Sequence, residues 1–260
     1  MLTNTVIIVL REVLEVAYLA SFLLAISVFM HIRFRWFYCA LGAGVLGASL
    51  YAYYFEKVSE CFDYSGQEIV NAVLLSIVFL SLVALILLPT VKEKWRRWMI
   101  VCMFMVIFFS FVREGAELII YYSGFSYVNE PFIGIAAGSI IGLGIGLSVG
   151  ALIYFSLLNI ALKKSWLLSH VMLLITACGL LSQAVGFLIQ ADLISSQTAV
   201  WDSRFIVAED SIFGQLLYAV ISYESTPELS QLLVWLLAFV LVLGFYVCFS
   251  KKGLYAHVSA

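Results

Sequence analysis

Residues 11–15 read Arg-Glu-Val-Leu-Glu, and they stand inside an apolar run that begins at Thr5-Val-Ile-Ile-Val-Leu10 and resumes as Tyr18-Leu-Ala-Ser-Phe-Leu-Leu-Ala-Ile26. Residues 113–117 read Arg-Glu-Gly-Ala-Glu, again between apolar flanks, from Val101 to Val112 and from Leu118 to Ile120. A bilayer-spanning helix needs roughly 20 predominantly apolar residues, and both runs are long enough. A charge at bilayer depth costs about 2.5–3.5 kcal/mol on insertion scales. Six charges in two matching pentapeptides therefore ask for a function.

Working outward, the 260 residues are 64% hydrophobic and 12% charged, against about 25% charged in a soluble domain, with a mean hydropathy of +1.08. Apolar runs fall near 4–29, 36–55, 66–89, 98–123, 132–161, 168–190 and 229–250. The expected fold is an all-α polytopic membrane protein of about seven transmembrane helices, with residues 1–260 forming a single transmembrane domain in the lipid bilayer. The first run lacks a basic leader and carries Arg11, Glu12 and Glu15, so it reads as a mature helix and not as a signal peptide. The cysteines (Cys39, Cys61, Cys102, Cys178, Cys248) form no C-x-x-C pair and read as packing residues. Nothing in the charge pattern suggests nucleic acid.

The breaks between runs alternate in charge. Of the fourteen Lys and Arg, ten (Arg33, Arg35, Lys92, Lys94, Arg96, Arg97, Lys163, Lys164, Lys251, Lys252) fall on one side of the expected membrane and only Lys57 and Arg204 on the other. By the positive-inside rule the N-terminus is outside and the C-terminus inside. The breaks at 56–63, around Glu130 and over 191–228 are mostly acidic.

The two pentapeptides mark an internal repeat. Each is followed by a glycine-rich run: Gly42, Gly44 and Gly47 after the first, and Gly134, Gly138, Gly142, Gly144, Gly146 and Gly150 after the second. Three spans separate the copies, so the second enters the membrane inverted, a recurring transporter design. The expected arrangement is an inverted 3+3 repeat (about 4–95 and 98–190), an outer segment 191–228 and a last helix 229–250. The third and sixth spans show no convincing sequence match. The glycines read as close helix packing.

On a helix, residues three and four apart share a face, so Glu12 and Glu15 stack, as do Glu114 and Glu117, with Arg11 and Arg113 alongside. At 1.5 Å per residue both motifs lie at a similar depth, roughly 9–17 Å below the outer helix ends. Four carboxylates could line one locus, with Arg11 and Arg113 compensating charge. Such oxygen ligands suit hard, multivalent cations, and the site reads as metal-binding. Gln67-Glu68 opens the third span, where Glu68 either caps the helix or assists metal on its way in. The acidic residues Asp192, Asp202, Glu209, Asp210, Glu224 and Glu228 read mostly as solvated loop. His31, His170 and His257 carry no ligand role, and the methionines lack the pairing of a copper(I) route.

These residues resemble the oxidase-dependent iron permease family, which includes fungal high-affinity iron permeases and bacterial EfeU proteins. Its signature is R-E-x-x-E in the first and fourth of seven helices; Gln67-Glu68 and Ser222-Tyr-Glu-Ser-Thr-Pro227 extend the likeness. The resemblance implies ferric iron (Fe3+) uptake across a cell membrane such as the bacterial inner membrane. Iron would bind Glu12, Glu15, Glu114 and Glu117, and also Glu68, after an extracytoplasmic ferroxidase or peroxidase partner oxidises ferrous iron. Iron is then the transported ion, and no prosthetic cofactor is implied. Val13, Ala116 and Asn71 depart from the family pattern. The alternatives are a permease for a divalent cation, ferrous iron or manganese, and a membrane-embedded enzyme. No nucleophile–base constellation or HExxH motif supports the enzyme, so the expectation is a non-enzymatic transporter.

Overall fold

The computed structural model describes residues 2–88, 93–125, 132–208 and 211–251. Lys92, Glu130, Glu209, Asp210, Lys252 and His257 lie outside the described residues. Ten helices follow in order: α1 (Leu2–Phe29), α2 (Arg35–Tyr53), α3 (Phe55–Ser59), α4 (Cys61–Tyr64), α5 (Gly66–Leu87), α6 (Glu93–Phe125), α7 (Phe132–Asn159), α8 (Leu162–Gln190), α9 (Ile212–Ile221) and α10 (Leu229–Lys251). No strand is formed among the described residues beyond an isolated bridge between Ala199 and Glu228. A chain this apolar must satisfy its backbone polar groups within each segment, and in lipid the helix does so.

Five of these helices are long and apolar enough to cross a membrane: Gly66–Leu87, Trp95–Gly124, Ile133–Asn159, Leu162–Gln190 and Leu229–Cys248. α1 is 28 residues long but carries Arg11, Glu12 and Glu15, and α2 is shorter, at 19 residues, and opens on Arg35. α7 and α10 expose Ile133, Ile140, Leu152, Leu237 and Val240 to the surroundings, an apolar exterior that suits contact with lipid.

The ends have local causes. α1 closes where His31 turns left-handed (φ 51°), so that the Ile32 amide reaches the Ser27 carbonyl at 2.8 Å, a Schellman-type stop. α5 ends at Leu88, which is extended because it precedes Pro89. Within α4 the chain turns through Phe62, Asp63 and Tyr64, all at positive φ. Gly66 follows with its Cα against the Val58 carbonyl, where a Cβ would stand 1.7 Å from the oxygen; only glycine fits there.

Packing brings the two halves together. α1 and α6 run antiparallel, because Thr5 meets Tyr121 (2.9 Å), Glu15 meets Arg113 (3.4 Å) and Ser27 meets Met103 (3.6 Å). α7 lies parallel to α1, with Gly138 over Thr5, Gly142 over Val9, Gly146 over Val13 and Gly150 over Ala17. α2 lies parallel to α6 in the matching way, with Gly44 on Phe111, Gly47 on Val112 and Ala48 against Gly115. α5 packs on α6 and α8, and α10 on α8. Leu23, Ile26, Leu82, Met103, Ile107 and Leu173 form a fully buried apolar core on one side of the level at which the motifs cross.

In the segment 191–228, Asp192 and Asp202 are exposed, as expected of a solvated loop, but the chain also forms a helix and a bonded loop. α9 starts at Ser211, whose hydroxyl accepts the Gly214 amide at 3.0 Å, and packs on α1 and α8. It stops at Ser222 (φ 55°), which sits so close to Gly179 of α8 that a Cβ there would lie 2.4 Å from the serine side chain. The flanking chain is laced together: Val200 and Ser203 amides donate to Pro227 and Ser225 carbonyls, each at 2.9 Å. The Glu228 carboxylate accepts the Ser196 hydroxyl (2.9 Å) and the Gln197 amide (2.8 Å). Asp202 is held by the Arg204 guanidinium at 2.6 Å, which pulls its carboxyl down to about 2.

Candidate metal centre

The antiparallel crossing of α1 and α6 carries one motif past the other. Carboxylate oxygens of Glu12, Glu114 and Glu117 lie within 4.8 Å of one another, and among the described residues this is the group of acidic, histidine and cysteine side chains close enough to hold a metal ion. Glu12 and Glu114 are buried and Glu117 is half-buried. Two helices of opposite sense thus bring three carboxylates to one point.

The arginines are placed unequally. Arg113 is 2% exposed and reaches three carboxylates, Glu114 at 2.9 Å, Glu15 at 3.4 Å and Glu117 at 3.7 Å. Arg11 is 32% exposed and approaches Glu12 at 3.7 Å and Glu15 at 3.8 Å. Its guanidinium also lies over the Tyr218 ring, 4.8 Å from the centroid. Glu15 therefore joins the cluster through Arg113 rather than through the carboxylate trio. Buried oxygens Glu12 Oε2, Glu15 Oε1 and Glu114 Oε2 have no hydrogen-bond partner. Leaving such oxygens unpaired in a dry site costs free energy, and a bound cation would recover it.

A cavity of about 20 Å³ lies beside the cluster, bordered by Glu15, Arg113, Glu114, Ser110, Leu75 and Leu180, which is room for about one water. Glu68 is not brought into the trio; it stands in the first turn of α5 with Oε2 buried and unpartnered. The Tyr51 hydroxyl of α2 lies within electrostatic reach of both Glu117 and Glu68. His170 is buried, with Nδ1 2.9 Å from the Trp166 carbonyl. Tyr218 and Tyr51 are the site residues that sequence reasoning missed. The available signal for Tyr218 was the apolar stretch 212–221, which breaks the polar character of its surroundings.

Such a chain, with five apolar spanning helices and a buried acidic cluster between two of its long helices, belongs to the multi-pass membrane proteins. More narrowly, the profile of the iron permease FTR1 family matches residues 2–256, and the chain belongs to that family. Among curated proteins it is 24% identical over 157 residues to the ferrous iron permease EfeU of Shigella flexneri, covering 60% of this chain and 66% of that one. A protein named putative inactive ferrous iron permease EfeU, from Escherichia coli strain K12, is 24% identical over 157 residues, covering 60% of this chain and 56% of its own length. The ferrous iron permease EfeU of Escherichia coli O157:H7 aligns with the same identity and coverage. The alignments thus span about three-fifths of the relatives' length. No solved structure matches.

Proposed function

We propose that this chain is an iron permease, a single transmembrane domain that crosses the bilayer seven times with its N-terminus outside. Iron passes through the site formed by Glu12, Glu114 and Glu117, with Glu15 held beside it by Arg113. The observation that carries the reading is the convergence of those carboxylate oxygens within 4.8 Å of one another at the crossing of α1 and α6. The matched parallel packing of α7 on α1 and of α2 on α6 supports two inverted repeats. Family membership supports iron as the cargo.

Ferric iron, delivered after oxidation by an extracytoplasmic ferroxidase or peroxidase, is the cargo that the likeness to oxidase-dependent iron permeases favours. Four motif carboxylates against two guanidiniums leave two negative charges, and a trivalent ion would need Glu68, which stands apart from the trio, as the third. A second reading takes ferrous iron directly; without Glu68 the two residual charges match a divalent ion, and the relatives carry ferrous iron in their names. Replacing Glu114 or Glu117 by glutamine removes a ligand charge and keeps the shape. Iron uptake, normalised to membrane abundance, is expected to fall by more than the roughly 10–100-fold that a merely supporting residue costs. Undiminished uptake in both variants would defeat the site. Sustained ferrous uptake without oxidant, insensitive to Glu68→Gln, would select the divalent reading.

A further inference from the structure

α8 traverses the bundle as an apolar helix whose buried face carries four polar side chains, with Leu173 and Leu180 between them. Ser165, Ser169, Thr176 and Gln183 are 0%, 0%, 3% and 7% exposed, and at 3.6 residues per turn they fall within about 40° of one another around the helix axis. This face looks into the bundle. The Thr176 hydroxyl bonds the Met172 carbonyl at 2.9 Å and reaches the Tyr18 hydroxyl of α1 at 3.5 Å. Leu180, on the same face, borders the cavity shared with Glu15, Arg113 and Glu114. Other polar groups of α8 point elsewhere: the His170 ring lies beside Tyr246, and the Ser182 hydroxyl donates to the Gln231 carbonyl of α10.

Polar residues between membrane helices often act as glue, but glue needs a partner. The hydroxyls of Ser165 and Ser169 and the amide oxygen of Gln183 have none. A serine inside a helix commonly returns its hydroxyl to the carbonyl four residues back, as Ser21, Ser27, Ser76 and Ser81 do here. Ser165 and Ser169 do not. On α5, the Asn71 side-chain oxygen, one turn before Leu75 of the same cavity, is buried and unpartnered as well. Buried polar oxygens without protein partners destabilise a bundle unless something else bonds them in the working state, and intramembrane polar groups facing the interior mark ion paths.

We infer that this face of α8 is the polar wall along which the cation travels between the carboxylate cluster and the N-terminal end of α8. Ser169 and Ser165 serve as successive oxygen contacts for a hydrated metal ion. From Leu180 to Ser165 the route covers about 22 Å of helix. Hydroxyl and water oxygens match a hard cation without holding it as tightly as carboxylates do, which suits a path of release. The inference rests on the permease reading, and its test separates the two.

In full-length chains whose native cysteines are replaced, single cysteines are placed at 165 and 169, and a third chain retains only Cys178. Cys178 is buried and lies about 200° around the helix from Thr176. A small cationic methanethiosulfonate is applied from the side of Lys163 and Lys164. Ser169→Cys and Ser165→Cys are expected to react at least tenfold faster than Cys178 and to be slowed by iron salts. Reaction no faster than Cys178 overturns the route. The Ser165→Ala/Ser169→Ala double variant is expected to lose at least fivefold in iron uptake at unchanged abundance and melting temperature, and wild-type uptake in it also overturns the route. If the unsubstituted chain moves no iron, the permease reading fails on its own, and the labelling ratio still decides whether α8 presents a wetted face.

Discussion

The two R-E-x-x-E motifs are nearly equal as sequence and unequal as structure. In the second, Arg113 is buried at 2% exposure and bridges carboxylates from both α1 and α6. In the first, Arg11 is 32% exposed, makes only long contacts within its own helix and rests on Tyr218. Antiparallel crossing explains part of this: it carries Glu15 to Arg113. The rest comes from α9, which packs on α1 and places the Tyr218 ring over Arg11. One arginine thus ties together carboxylates of both helices, and the other, a third exposed, keeps contacts within its own helix and to the Tyr218 ring.

The largest effect expected from this difference is in stability. Arg113→Ala leaves Glu15, Glu114 and Glu117 without their shared partner, and breaking a buried ion pair costs about 3–5 kcal/mol. Arg11→Ala removes long, partly solvated contacts worth about 0–1 kcal/mol and the Tyr218 ring contact, worth about 0.5–2 kcal/mol. Thermal unfolding in detergent and membrane abundance should therefore fall sharply for the first variant and less for the second. Equal losses would break the comparison.

A smaller effect tests whether the two glycine contacts are equivalent. A Cβ on Gly142 would meet the Val6 carbonyl oxygen at 2.7 Å and the Leu10 amide at 3.0 Å, both backbone, whereas on Gly44 it would meet the Phe111 side chain at 3.0 Å. Gly142→Ala is expected to cost about 1–3 kcal/mol as overpacking, and Gly44→Ala less, since its nearest neighbour lies at 3.0 Å and not 2.7 Å. Gly144, with nothing within 4 Å, should gain roughly 0.5–1 kcal/mol on change to alanine. Melting temperatures of the three variants decide the order.

The smallest effect belongs to Tyr218. Its ring under Arg11 is worth about 0.5–2 kcal/mol as a cation–π contact, so Tyr218→Ala should weaken half-saturation for iron by between about twofold and thirtyfold. Tyr218→Phe keeps the ring and should leave uptake unchanged. A loss in the phenylalanine variant as large as in alanine would show that the hydroxyl, and not the ring, matters at Arg11.

Much of this was legible in the sequence. Apolar length against bilayer thickness gives the long helices directly, since residues 66–87, 133–159 and 229–248 are apolar over nearly their whole length. The same logic made Glu12, Glu15, Glu114 and Glu117 conspicuous, because a charge in an apolar run is costly wherever the run folds. α9 was not legible, because ten residues are too few for a spanning run and their apolar face is recognisable only against α1 and α8. The partners of the acidic segment were equally hidden: Asp202 is exposed as its loop position suggests, but its pairing with Arg204, and that of Glu228 with Ser196 and Gln197, depend on the folded loop.

By itself the sequence determined that the chain is an all-helical membrane protein with two buried acidic motifs, because hydropathy and the cost of charge are properties of each segment alone. Only the tertiary structure decided which carboxylates meet. Glu12 joins Glu114 and Glu117 while Glu15 pairs with Arg113, Glu68 stays apart, and Arg11 takes Tyr218 as its support. Those choices depend on helix sense, rotation and register, which are set by close contacts such as Gly146 on Val13 and Ala48 on Gly115, and no single segment encodes the position of its partner.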